Sequence, residues 1–149
     1  MGADLYLHSL YDEQKKQWEP EFERAVKARD ALAEGTAAYK EAQQRVEHCF
    51  AKMYEGGYFR DPYNPVGLLL KFDLSWWQEV GDLQDEGGWL QPDATRAFLQ
   101  MLREREPVFE KNLAPLEKHA QRYYREEYAA LQAFLNEALN RNEGIDCCL

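Results

Sequence analysis

Residues 53–89 read MYEGGYFRDPYNPVGLLLKFDLSWWQEVGDLQDEGGW, and this stretch decides the fold. It holds eight of the chain's twenty aromatic residues and three of its four tryptophans. Its prolines and glycines interrupt helical periodicity, whereas the sequence on either side has the spacing of amphipathic helices. We therefore expect the central stretch to pack across long helices and to supply much of the core.

The overall composition is that of a globular domain with a core of its own. The chain has 149 residues, of which 45% are hydrophobic and 30% are charged, so we predict a single helical domain over residues 1–149. The predicted fold is mainly α, an irregular bundle of about five or six helices. Apolar and polar residues alternate over residues 3–8, which predicts a short strand. We expect its partner near Trp89, which would make a small two-stranded β ribbon.

Helix signals flank the central stretch on both sides. A helix is predicted from about Leu10 into the low thirties, with a kink or restart at Pro20. Gly35 should end it, and Thr36 should cap the helix that follows. The last helix is the longest, and the residues after Gly144 are predicted to be a tail.

Two shorter helices are expected inside the central stretch. Asn64 can serve as the N-cap of a helix from Pro65 to Phe72, since proline favours the first helical position. Ser75 can cap a second one, with Gln78 placed for a reciprocal cap.

The charge distribution favours a basic partner over an acidic one. The net charge is −9, and residues 58–92 contain six acidic and two basic residues. A nucleic-acid backbone or an anionic membrane rewards Lys and Arg, so neither is the expected partner. Two interpretations of the acidic stretch remain, namely a solvated loop and a surface for a cation or for a protein with a basic surface.

The three cysteines predict a reducing compartment. Cys49 falls on the apolar stripe of a helix and should be buried, whereas Cys147 and Cys148 in the tail should be exposed. They form neither a zinc pattern nor a prenylation box. The N-terminus lacks the basic and long apolar regions of a secretory signal. We therefore expect a cytoplasmic protein.

Familiar enzyme signatures are missing from the sequence. It contains no glycine-rich phosphate loop, GxSxG, HExxH or CxxC motif. The histidines at positions 8, 48 and 119 do not have ligand spacing. We predict no metal and no cofactor.

The candidate binding residues all lie in the central stretch: Arg60, Asp61, Tyr63, Asn64, Trp76 and Trp77. In one interpretation Arg60 stacks on an aromatic ring while Asp61 caps a turn, and the two form one coupled unit that holds the loop. In the other, Tyr, Trp and Arg serve in recognition, because these residue types dominate binding interfaces. The free amides after Asn64 could also receive a carboxylate or phosphate.

Adjacent tryptophans should divide between the core and the surface. Neighbours on a helix point about 100° apart. One of Trp76 and Trp77 should therefore be buried and the other peripheral.

Four segments carry a resemblance. The opening MGADLY, the segment GYFRDPYNP, the following SWW and the ending FLNEALNRNEGIDCCL resemble a small group of uncharacterised bacterial proteins. The resemblance covers most of the chain. It implies a bacterial, cytoplasmic origin and brings no activity, cofactor or catalytic residue with it.

Two functional classes follow from these observations. The first is a non-enzymatic acidic binding or regulatory protein, immunity-like or an adaptor, acting on a basic partner. The second is a small enzyme with a site assembled from Asp4, His8, Arg60 and Asp61. A pocket joining those four residues would favour the enzyme, and a flat aromatic and acidic face would favour the binding protein.

Overall fold

The computed structural model describes residues 1–149, and its fold is mainly α, as predicted. The α-helices are α1 (His8–Asp30), α2 (Ala37–Tyr54), α3 (Pro92–Glu104), α4 (Glu106–Leu113) and α5 (Lys118–Asn140). The strands are β1 (Gly2–Tyr6), β2 (Tyr58–Pro62), β3 (Trp89–Leu90) and β4 (Ile145–Cys148). None of the helices is both long enough and apolar enough to cross a membrane.

The chain divides into two compact units. One comprises residues 1–7 and 58–149, and the other comprises residues 8–57. The single domain predicted over residues 1–149 stays a prediction.

The unit of residues 8–57 is a hairpin of α1 and α2. Its core contains Ala25, Val46 and Cys49, with Trp18 and Phe22 packed against it. The junction between α1 and α2 contains the glycine and the helix cap that the sequence predicts, Gly35 and Thr36.

Two helix signals in this hairpin can be compared with the structure. Gly35 adopts a positive φ of 80°, and the Thr36 hydroxyl accepts a hydrogen bond from the amide of Tyr39 at 3.1 Å. The predicted cap is therefore confirmed. The helix does not restart at Pro20, because α1 continues through it.

The larger unit contains an antiparallel sheet with the strand order β2-β1-β4-β3. The predicted two-stranded ribbon is wrong in its pairing, since β1 pairs with β2 and β4, and β3 pairs only with β4. The residues predicted to be a tail form the strand between β1 and β3. Their alternation explains the placement, because Ile145 and Cys147 are buried while Cys148 is exposed.

The inner face of the sheet packs on the helices of the larger unit. Phe59 on β2 lies 6.4 Å from Phe134 on α5, between ring centroids. The central stretch also supplies core residues, as predicted. Phe72 stacks on Phe109 of α4 at 4.4 Å and meets Tyr128 of α5 at 4.9 Å.

The prediction that both terminal cysteines are exposed is wrong for Cys147, which strand alternation turns inward. Burial raises the pKa of the Cys147 thiol to about 12. Alkylation of the native protein should therefore modify Cys148 quickly, with Cys49 and Cys147 reacting slowly. Mass spectrometry of the alkylated peptides measures the three rates, and equal rates at Cys147 and Cys148 would contradict the β4 assignment.

The same thiol gives a pH dependence with a definite sign. Above the ordinary cysteine pKa of 9.0 the unfolded chain releases this proton, while the folded chain keeps it up to a pKa of about 12. The unfolded state then binds fewer protons, so the contribution of Cys147 to stability falls as the pH rises between these values. Urea melts of the wild type and Cys147→Ala at several alkaline pH values should show a weaker decline in the variant.

Candidate functional site

A tight turn after β2 positions the centre of the candidate site. The Asn64 carbonyl accepts the Gly67 amide at 2.8 Å, and its side-chain oxygen accepts the Val66 amide at 3.2 Å. Gly67 approaches the preceding strand so closely that a Cβ there would lie 2.2 Å from the Pro62 carbonyl oxygen. The predicted helix from Pro65 to Phe72 is therefore wrong in its start, because the chain turns first and a 3₁₀ turn forms only over Leu69–Phe72.

Asp61 ties this turn to the rest of the central stretch. Its side chain is buried, and Oδ1 accepts the amide of Leu68 at 2.7 Å. Oδ2 accepts the amide of Leu69 at 3.0 Å and the indole N–H of Trp76 at 2.8 Å. The amides after Asn64 are therefore not free to receive a ligand's carboxylate or phosphate, because Asn64 and Asp61 accept all four of them, from Val66 to Leu69.

The two adjacent tryptophans divide as predicted. Trp76–Val80 form a single π-helical turn. Trp76 is 3% exposed and meets the Phe98 ring of α3 at 5.5 Å, whereas Trp77 is 61% exposed. The predicted reciprocal cap is wrong, because the Ser75 side chain makes no cap and the Ser75 amide donates to the carboxylate of Glu79, at 2.7 Å, in place of Gln78.

A small cavity opens beside Trp77. It measures about 90 Å³ and lies between the segments 61–63, 69–70 and 74–77. The rings of Tyr63 and Trp77 lie 5.7 Å apart and are tilted by 45°, and Leu70 is an exposed apolar side chain at the same cavity. We call these three side chains around the cavity the Trp77 surface.

Tyr63 carries the one buried side-chain polar atom that lacks a hydrogen-bond partner, its hydroxyl oxygen. Most buried polar groups in proteins are paired, so a buried hydroxyl without a hydrogen-bond partner is unusual. Burial raises the pKa of the Tyr63 phenol, with a further contribution from Cys147. The hydroxyl therefore stays protonated at neutral pH and is available as both donor and acceptor.

Arg60 lies on the opposite face of β2 from Asp61. Its guanidinium pairs with Asp4, which is directly opposite on β1, at 2.8 Å. The Tyr58 hydroxyl donates to the same carboxylate. The predicted coupled unit of Arg60 and Asp61 is therefore wrong, because successive residues of a strand point to opposite faces of a sheet.

The four residues of the alternative enzyme site belong to three different parts of the fold. Asp4 and Arg60 form a pair on the outer face of the sheet. Asp61 points into the core with its own three donors, and His8 is the first residue of α1. No group of three or more His, Cys, Asp or Glu side chains is arranged to hold a metal ion.

Four of the six predicted binding residues line the cavity: Asp61, Tyr63, Trp76 and Trp77. Asn64 shapes the turn, and Arg60 lies on the other face of the sheet. The sequence interpretation missed Leu70. Leu70 stands within the apolar run GLLLKF, where no local pattern marks it as the leucine that is 43% exposed.

Comparisons with known proteins provide no family for this chain. No protein-family model, curated protein or solved structure matches it.

Proposed function

We propose that the chain is a non-enzymatic binding protein, of the regulatory, adaptor or immunity-like kind, whose Trp77 surface binds a partner with a basic surface. The observation that carries this proposal is Trp77, a large aromatic side chain left 61% exposed beside a small cavity. Tryptophan and tyrosine are enriched among the residues that dominate protein interfaces. The rigid ring of Trp77 can be buried by a partner at a small cost in conformational entropy.

The size of the cavity supports binding of a partner's side chain. Pockets for substrates and cofactors commonly measure roughly 300–1,000 Å³. The cavity of about 90 Å³ is smaller than that range, and it includes only Asp61 of the four residues in the alternative enzyme site. This geometry favours the binding protein over the enzyme.

Charge supports the choice of a basic partner. Exposed acids accompany Trp77 in the central stretch, among them Asp73, Asp82 and Glu86. No Lys or Arg occurs between Lys71 and Arg96. A basic surface would therefore be attracted to the central stretch, and the attraction should weaken as salt rises.

The proposal includes a reducing compartment, the bacterial cytoplasm. Its support is that all three cysteines are free thiols, which is the usual state in cytosolic proteins. The resemblance to uncharacterised bacterial proteins points the same way.

A photo-crosslinking experiment tests the proposed function. A photoreactive phenylalanine analogue is placed at position 77 and, as the matched control, at Tyr123, which is 52% exposed on α5 of the same unit. In lysate of the source cell we expect a discrete adduct with a basic protein from position 77, weaker at high salt. Adducts from position 123 alone, or none from either position, would contradict the proposal.

A further inference from the structure

Asp61 lines the cavity of the Trp77 surface and forms no ion pair with a cation of the chain. Asp61 is bonded to two backbone amides and one indole N–H, and none of these donors is charged. The charge of Asp61 also acts on ionisable side chains of α5. The pKa of Glu127 on α5 is raised, first by burial and then by Asp61. The pKa of Tyr123 is raised by burial, then by Glu127, with a smaller contribution from Asp61.

Two residues that line the cavity have hydrogen-bonding capacity that the protein does not use. A carboxylate offers about four lone-pair sites on its two oxygens. Asp61 uses three of them, two on Oδ2 and one on Oδ1. The buried Tyr63 hydroxyl, which makes no hydrogen bond, belongs to a residue that lines the same cavity.

The aromatic rings at the cavity add a preference for a cation. The faces of Tyr63 and Trp77 form a corner, with centroids 5.7 Å apart and planes tilted by 45°. Tryptophan and tyrosine faces attract ammonium groups, and several such rings together form the aromatic cages that recognise them. Leu70 and Leu74 provide apolar lining for the stem of a long side chain.

We propose that this cavity binds the side-chain ammonium of a lysine that projects from the basic partner. The inference rests on the proposed function and names the group that the Trp77 surface recognises. A lysine has a flexible four-carbon stem and three N–H donors on a compact head. The stem would pack on the leucines and the tryptophan, and the head would approach Asp61 and the Tyr63 hydroxyl.

Lysine fits this cavity better than arginine. A guanidinium binds a carboxylate best through two parallel hydrogen bonds, one to each oxygen. The two bonds already made to Oδ2 of Asp61 leave lone-pair capacity only on Oδ1. An ammonium needs only one such site, whereas an arginine could make only one of the two parallel bonds that favour it.

An NMR titration tests the inference with a small molecule. Isotope-labelled full-length protein is titrated with Nα-acetyl-lysine amide, and the indole signals of Trp76 and Trp77 are followed. We expect saturable shifts with a Kd on the order of millimolar, as for a ligand of this size. The norleucine analogue has the same stem without the charge and should cause no saturable shift, and the arginine analogue should bind more weakly. Equal binding of all three analogues, or no saturation with the lysine analogue, would overturn the inference.

Three variants locate the binding within the molecule. Trp77→Ala should weaken binding of the lysine analogue roughly 2- to 30-fold, the range expected for loss of a cation–π contact. Tyr63→Phe should weaken it by a smaller factor while leaving the fold intact, because the hydroxyl has no partner in the protein. Tyr39→Phe, in the unit of residues 8–57, is the matched control and should bind as the wild type does. An unchanged Kd in Trp77→Ala would overturn the inference.

The two proposals can fail separately. If position 77 crosslinks to a basic protein but the lysine analogue does not saturate, only the lysine inference fails. If the analogue binds as described but no partner is captured, the cavity recognises lysine and the proposed function fails.

Discussion

Replacing Asp61 with alanine is expected to lower the free energy of unfolding by about 3 kcal/mol or more, because each buried donor left without an acceptor costs about 1–3 kcal/mol. The reason is that Asp61→Ala leaves three buried N–H donors without an acceptor, on Leu68, Leu69 and Trp76. Urea melts of the variant and the wild type measure the difference. Asp82→Ala is the matched control, because it removes the same charge from an exposed position of the same stretch. A loss below about 1 kcal/mol in Asp61→Ala would contradict the role assigned to this carboxylate.

The same melts test whether Arg60 and Asp61 act together. Arg60 pairs with Asp4 on the outer face, and Asp61 bonds the turn on the inner face, so the two side chains share no partner. Arg60→Ala should be nearly silent, as is usual for exposed ion pairs. Its effect should add to that of Asp61→Ala in the double variant. A clear departure from additivity would restore the coupled unit that the sequence suggested.

Deleting residues 145–149 is expected to cost about 5 kcal/mol or more, enough to prevent the larger unit from folding stably. Strand β4 pairs with both β1 and β3, so its loss opens the middle of the sheet. Its buried Ile145 alone should cost about 2–5 kcal/mol when replaced by alanine. Circular dichroism and urea melts of the deletion and of Ile145→Ala measure these effects.

Deletion of Leu149 alone is the control for the loss of β4. This residue follows the last strand position and makes no ladder pairing. Removing it should change stability far less than removing residues 145–149. If the five-residue deletion melted like the wild type, the segment would be the tail that the sequence suggested.

The helical part of the fold could be predicted because its signals are local. Glycine and a hydroxyl cap mark the junction at Gly35 and Thr36, and apolar spacing marks the long α5. The sheet could not be predicted in the same way. Strand β4 is four residues long and pairs with residues at the other end of the chain. Its sequence IDCC has only one β-branched residue, so neither length nor composition distinguished it from a tail.

The second missed strand explains the main error at the candidate site. The segment around Arg60 and Asp61 is expected from the sequence to be a loop, whereas Tyr58–Pro62 form a strand in the structure. This strand places Arg60 and Asp61 on opposite faces of the sheet, so their adjacency in sequence does not bring the two charges together. The division of Trp76 and Trp77 was predicted correctly because it depends only on the angle between neighbours in a helical turn. Which one is buried depends on Asp61, a contact across 15 residues that no local pattern contains.

The arrangement of Asp61, Trp76 and Trp77 connects the fold to the proposed function. Asp61 holds the Trp76 indole inward, and Trp77 is then presented beside the cavity. A chain that lost the Asp61 contacts would lose both the buried ring and the ordered surface. Stability and binding should therefore depend on the same carboxylate.

Solvent exchange of the indole N–H groups tests this arrangement most directly. The Trp76 N–H donates to buried Asp61 at 2.8 Å, whereas Trp77 is 61% exposed. In proton–nitrogen NMR spectra of the native protein transferred into D₂O, the Trp77 indole signal should disappear within the dead time and the Trp76 signal should persist, because exchange requires the buried hydrogen bond to open. Equal rates, or a protected Trp77 beside a rapidly exchanging Trp76, would contradict the account.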